Sequence, residues 1–306
     1  MCLQTGGGVF QDGNPPFFID FSPQGVLNVP MKGSIRKSII AGSWYPGNAN
    51  TLRREIQKYL DGAEPPEVKG KTAALVSPHA GYIYSGPVAA YGYKILKKGE
   101  FDRVVIVGPS HRAYFRGVAL FGEGGFETPL GVVETDADLS ASLAGTAEAI
   151  RTMPDAHVQE HSIEIQLPFL QIVLGGFRFV PVLMGDQSRS VCEVLARAIA
   201  PALADGKTLL VASSDLSHYR PYDSAVKIDR VVLNRIEGID AEGLLDDLES
   251  GRAEACGGGP VAVAMMVAKR LQAGNSKVLK YANSGDVSGD RSGVVGYVSA
   301  VFSKDN

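Results

Sequence analysis

An α/β fold, with a central, mainly parallel or mixed sheet covered by helices on both faces, is what the sequence predicts, and three observations predict it. Short apolar runs rich in β-branched residues alternate with longer segments of helical period from about residue 39 onward. Strands separated by helices need crossover connections, which lay helices over a sheet. The 306 residues are 45% hydrophobic and 21% charged, enough for a large core, and no linker divides them past the start.

The elements follow in order. Residues 1–37 are expected to be a poorly ordered leader ahead of one domain, 38–306. Their Gly- and Pro-rich beginning shows neither helical nor strand period, GGGVFQDG follows no strand and so is no dinucleotide fingerprint, and Met31 is an alternative start. A helix is expected over 50–60, where Leu52, Ile56 and Leu60 mark one face. Strands are expected at 73–77, 103–108, 118–121, 177–184 and 208–213, with a last pair near 277–281 and 294–302. Helices fit 87–97, 136–149, 162–174, 188–204, 224–236, 241–250 and 260–273.

Composition excludes several classes. A net charge of −3, with no cluster of Lys and Arg, offers nothing to draw in nucleic acid. No apolar run approaches the roughly 20 residues that cross a bilayer, and no secretory signal is seen, so a cytoplasmic protein with no membrane partner is expected. Cys2, Cys192 and Cys256 contain no C-x-x-C pair, which argues against disulfides. Cys192 lies in a helical pattern without polar company and reads as structural.

The chemistry gathers at strand ends. ALVSPHAGY places His79, VVIVGPSHR places His111, and LLVASSDLSHY places Asp215 and His218, each just past an apolar run. Ligands of open α/β sheets bind outside the carboxyl ends of strands. One histidine after a strand is more often a plain turn residue; three of the five histidines so placed point to a functional cluster. Cys256 precedes three glycines and Pro260, which starts a helix, so its thiol feels the positive end of a helix dipole. Read alone, it is as easily a buried small side chain. In QEHSIEIQLPFL, Ser162 caps a helix and His161 and Glu164, three apart, share a face. His157, in a loop with Pro and Asp, is expected to face solvent. A serine hydrolase lacks its G-x-S-x-G elbow and a P-loop its Lys-Ser/Thr.

AGSWYPG (41–47), SPHAGYIYSG (77–86), GPSH (108–111), HSIEIQLPFL (161–170), PVLMG (181–185), SSDLSHY (213–219) and ACGGGP (255–260) resemble, in order and setting, the blocks of the Memo family, over about 38–302. The resemblance implies a fold similar to the class III, LigB-type extradiol dioxygenases. It implies a metal position at His79, His111 and Cys256, with a cysteine where the dioxygenases carry glutamate, which argues against ordinary catechol cleavage. It implies an acid/base residue at His218 with Asp215 beside it, and a pocket lined by Trp44, Tyr84 and His161. AMMECR-type and radical SAM proteins are the partners it suggests.

Two imidazoles and a thiolate favour iron, copper or zinc over hard cations, with iron the leading expectation. Three protein ligands leave a coordination position open. The sequence thus leads to a metal-dependent, dioxygenase-like oxidoreductase acting on a small substrate. Two other readings stand beside it: a binding module that uses the old pocket for a peptide or anion, and a metal-free Cys256 nucleophile with His218 as base.

Overall fold

The computed structural model describes residues 33–305, together with the backbone of the two-residue strand Phe17–Phe18, which runs parallel to Ala113–Tyr114. The expectations for the rest of the leader, Met31 included, lie outside the described residues. Ile35–Arg36, just ahead of the boundary expected at residue 38, already pairs with Gly125–Phe126, and Arg36 is buried.

Eight strands form the main sheet: β1 (Lys71–Ser77), β2 (Arg103–Pro109), β3 (Val118–Leu120), β4 (Ile150–Thr152), β5 (Arg178–Met184), β6 (Thr208–Ser213), β7 (Asn275–Asn283) and β8 (Gly296–Lys304). Their spatial order is β7-β8-β1-β6-β2-β5-β3-β4. The four in the middle, β1, β6, β2 and β5, are mutually parallel; β8 joins antiparallel to β1, and β3 antiparallel to β5. The sheet is therefore mixed, with a parallel centre.

Side chains alternate across this centre, as the two-residue period of a strand requires. Val105 and Val107 of β2 face one core with Leu210 and Ala212 of β6, and Val104, Ile106, Leu209 and Val211 face the other. The first core is covered by α5 (Arg189–Ile199), α6 (Tyr222–Glu237), α7 (Ala241–Glu249) and α8 (Gly258–Arg270). The second is covered by α1 (Ala49–Gly62), α2 (Tyr82–Lys94) and α4 (Leu167–Val173). On α1 the expected face of Leu52, Ile56 and Leu60 is buried, and Asn48 caps the helix by accepting from the N–H groups of Asn50 and Thr51.

Several boundaries differ from expectation. The helix expected from Pro87 begins at Tyr82 instead, with Pro87 inside it. Pro87 and Ile83, whose carbonyl loses its helical donor, both lie on the exposed side, within reach of solvent. The segment 136–149 holds only α3 (Ala137–Ala144) before the edge strand β4. In 162–174 a 3₁₀ turn, Glu164–Gln166, precedes α4. A hairpin of Gly125–Thr128 and Gly131–Glu134 was not anticipated. Among the described residues no helix is long and apolar enough to cross a membrane.

Candidate metal centre

The sheet order explains how residues far apart in sequence meet. Strand β6 lies between β1 and β2, and the registers Ser213 with Ser77 and Ala212 with Val107 bring the three carboxyl ends to one level. His79, Asp215 and His111 each follow their strand by two residues, so the three turns stand side by side. Cys256, just ahead of α8, completes the group. Its N–H donates to the Asp215 carbonyl (3.2 Å), and the Asp215 N–H faces its sulfur at 3.3 Å. Gly257 must be glycine for this, because a Cβ there would lie 2.3 Å from the Ser213 carbonyl oxygen.

One ligand atom from each of His79, His111 and Cys256 lies within 4.8 Å of the others. Cys256 Sγ is 3.0 Å from His79 Nε2. The rings of His79 and His111 meet edge-on with centroids 5.1 Å apart, and His161 stacks on His111 at 4.6 Å. His111 Nδ1 lies 3.0 Å from Glu160 Oε1, and His79 Nδ1 lies 3.0 Å from Ser213 Oγ. The Asp215 carboxylate accepts the His79 N–H at 2.8 Å and so fixes that turn.

The charges follow from this geometry. Burial disfavours a charged Glu160, yet His111 and His161 hold its carboxyl well below the usual range. As an ionised acceptor it requires a proton on His111 Nδ1, which turns Nε2 toward the centre. Burial opposes an imidazolium at His111, but Glu160 and Cys256 outweigh it and raise that imidazole well above its ordinary value. Burial, against the pull of Glu160, keeps His161 neutral, far below the usual imidazole value. Burial would push the Cys256 thiol up; the charge of His79 and hydrogen bonds from His111 and His79 bring it down to about 6. Burial raises Asp215 to about 6, against His218 and the His79 N–H.

His111, Glu160 and His161 also form a compact set. Glu160, however, is already engaged by four donors: Oε1 accepts from His111 Nδ1 and the N–H groups of His161 and Ser162, and Oε2 accepts the His111 N–H. Three of these four bonds crowd Oε1 and the fourth ties Oε2 to the His111 backbone, so Glu160 is better placed to hold His111 than to ligate. The set of His79, His111 and Cys256 fits a metal better, since its donor atoms face mainly one another.

The other candidates divide between two clefts. Trp44, Tyr84 and His161 line a cleft of about 1130 Å³ with Arg112, Tyr219 and Tyr297. Trp44 packs on His161, ring centroids 4.4 Å apart. His218 lines a second cleft of about 760 Å³, where Cys256 is its neighbour. Its Nδ1 lies 2.8 Å from the Leu216 carbonyl, an acceptor only, so Nδ1 carries hydrogen and Nε2 is a base.

Three expectations fail. Ser162 caps no helix; its hydroxyl donates to the Pro109 carbonyl at 3.0 Å, and Ile163 and Gln166 precede the helical turns. His157 is 1% exposed, not solvated: Nε2 lies 3.2 Å from the Ala119 carbonyl, and Phe121 and Phe126 pack on its ring. Glu164 does not join His161; it accepts from Arg36, Ser38, Tyr45 and the N–H groups of Ile39 and Ile40. Glu160 and Gln166 were missed. The available signal for Glu160 was an acid directly ahead of two residues whose N–H groups it can accept.

The comparisons with known proteins agree with this architecture. The family model described as Memo-like protein matches residues 36–301. A MEMO1 family protein of Methanopyrus kandleri is 41% identical over 278 residues, 87% of this chain and 98% of that protein. One from Thermotoga maritima is 40% identical over 278 residues, 87% and 99% respectively. In fold alone, the crystal structure of an uncharacterized protein from Escherichia coli K12 is similar, with a TM-score of 0.51 at 14% identity over 76% of this chain and all of that one. With the match spanning nearly every described element, the chain belongs to the Memo family.

Proposed function

We propose that His79 Nε2, His111 Nε2 and Cys256 Sγ hold a transition metal ion, iron first and copper or zinc as alternatives, in an oxidoreductase acting on a small aromatic substrate. The observation that carries this is the convergence of two imidazole nitrogens and an acidified thiol within 4.8 Å, at the carboxyl ends of a parallel sheet. When bound, iron or copper would supply a redox couple and an open coordination position for O₂ or an oxygen-bearing group, and zinc the open position as a Lewis acid alone.

The chain's own residues supply the rest. Loading the site must displace the proton of His111 Nε2 that faces Cys256, so binding releases protons and weakens as pH falls. Trp44, Tyr84 and Tyr297 offer flat faces to a planar substrate in the larger cleft, and His161, kept neutral by burial, stands between that cleft and the metal set. His218, with Nε2 as its base, exchanges a proton from the side of Cys256, and Asp215 holds the backbone of the His79 turn. A cytoplasmic setting with AMMECR-type and radical SAM partners belongs to the same proposal.

The test is elemental analysis of protein purified without oxygen, wild type beside His79→Ala and Cys256→Ala. Near-stoichiometric iron or copper, absent from both variants, is the expected result. No metal in any preparation, or equal metal in all three, overturns it.

A further inference from the structure

The proton on His79 is placed by a chain of buried groups behind it. Ser213 Oγ has three neighbours besides its own carbon: the Ser162 carbonyl at 2.7 Å, Gln166 Nε2 at 2.8 Å and His79 Nδ1 at 3.0 Å. A carbonyl only accepts, so the single Ser213 hydrogen goes to Ser162. A hydroxyl has two lone pairs besides, and the amide of Gln166 takes one of them.

That Gln166 presents nitrogen there, not oxygen, follows from its own partners. The same terminal atom lies 3.0 Å from the Pro78 carbonyl, which can only accept. Its other terminal atom meets the Tyr93 hydroxyl at 2.6 Å, and burial keeps that phenol protonated and so able to donate. Reversing the amide would set two carbonyl oxygens against each other at Pro78. One arrangement of hydrogens satisfies every partner, and in it Ser213 offers His79 only a lone pair.

We infer that Ser213, oriented by Gln166 and Tyr93, is a positioning residue that fixes hydrogen on His79 Nδ1, so that Nε2 faces Cys256 as the nitrogen that shares a proton with the thiol and gives it up to an ion. An imidazole in water favours the opposite tautomer, with hydrogen on Nε2, which cannot ligate through that atom. The serine therefore does for His79 what Glu160 does for His111, with a neutral acceptor in place of a carboxylate. The use of this tautomer in metal binding rests on the proposed function; the tautomer itself does not.

The experiment is a long-range ¹H–¹⁵N correlation spectrum of metal-free protein labelled at histidine nitrogen, with the His79 signals assigned by their loss in His79→Gln. Hydrogen on Nδ1 of His79 in the wild type, a shift toward Nε2 in Ser213→Ala, and its reversal in Ser213→Thr are expected. A wild-type His79 Nδ1 without hydrogen, or a spectrum unmoved by Ser213→Ala, overturns the inference. A cobalt(II) titration on the same proteins, read at the thiolate charge-transfer band, should show affinity about 10–100-fold weaker in Ser213→Ala. If the tautomer shifts while cobalt affinity stays the same, the inferred positioning role is overturned. If wild type binds no cobalt, the metal reading fails and the spectrum still decides the tautomer.

Discussion

Two buried polar regions lie side by side in this protein and are built on opposite principles. In the strap formed by residues 35–45, every strong group is matched. Arg36 donates to the carbonyls of His157 and Glu160 and to Glu164, and Glu164 takes Ser38, Tyr45 and two backbone N–H groups as well. At the candidate metal centre the outward atoms are just as well matched, Nδ1 of His79 to Ser213 and Nδ1 of His111 to Glu160, but the inward atoms meet mainly one another, with the Asp215 N–H on the sulfur besides. Burying unmatched polar groups costs stability, so a cluster that keeps them is held for what it binds, while a fully matched one holds shape.

The largest effect that would sharpen this contrast is on metal content. Cys256→Ala should abolish stoichiometric metal yet change the unfolding free energy of metal-free protein by less than about 1 kcal/mol, measured by urea titration. Next comes Arg36→Ala. Breaking the buried pair should cost about 3–5 kcal/mol, because it leaves Glu164 charged and uncompensated. Equal losses of stability in both variants would break the comparison.

A smaller effect is expected at the joint between the regions. Glu160→Gln keeps the shape but weakens the hold on His111, and metal affinity should fall about 10–100-fold in a competition assay. His157 provides a pH test. Burial, helped by Arg36, lowers its imidazole to about 3. The unfolded chain therefore takes up a proton first, and the stability this neutral ring preserves is present above about pH 6.5 and lost as pH falls toward 3. The stability gap between wild type and His157→Gln should narrow over that window, and a gap independent of pH would refute it. The smallest effect is Cys192→Ala. That thiol is buried and its pKa is raised to about 12, mainly by burial; the change should cost about 1 kcal/mol and leave metal content untouched.

The alternation of strand and helix was legible in the sequence because local periodicity carries it, and so were the residues at strand ends. His79, His111 and Cys256 announce themselves by a small-residue turn after an apolar run or before a helix. What was not legible depends on partners distant in sequence. His157 looks solvated beside Pro154 and Asp155, and only the packing of Phe121 and Phe126 buries it. Glu164 has the right spacing to accompany His161, but Arg36 claims it. The hairpin at 125–134 was hidden because its strands are four residues each, too short to establish a period. Pro87 misled as a helix start because its exposed position makes it tolerable within one.

The place of β6 in the sheet bears on how the protein is made. Strand β1 is synthesised early, yet its neighbours in the sheet are β6 and β8, both from the last third of the chain. At ribosomal rates of about 5–20 residues per second it waits on the order of ten seconds for its first partner. His79 and Cys256 are 177 residues apart and meet only after that strand is in place. Cys256 is made after the four parallel strands but before β7 and β8, so an ion captured by both residues during synthesis would be held before the antiparallel edge of the sheet closes on β1.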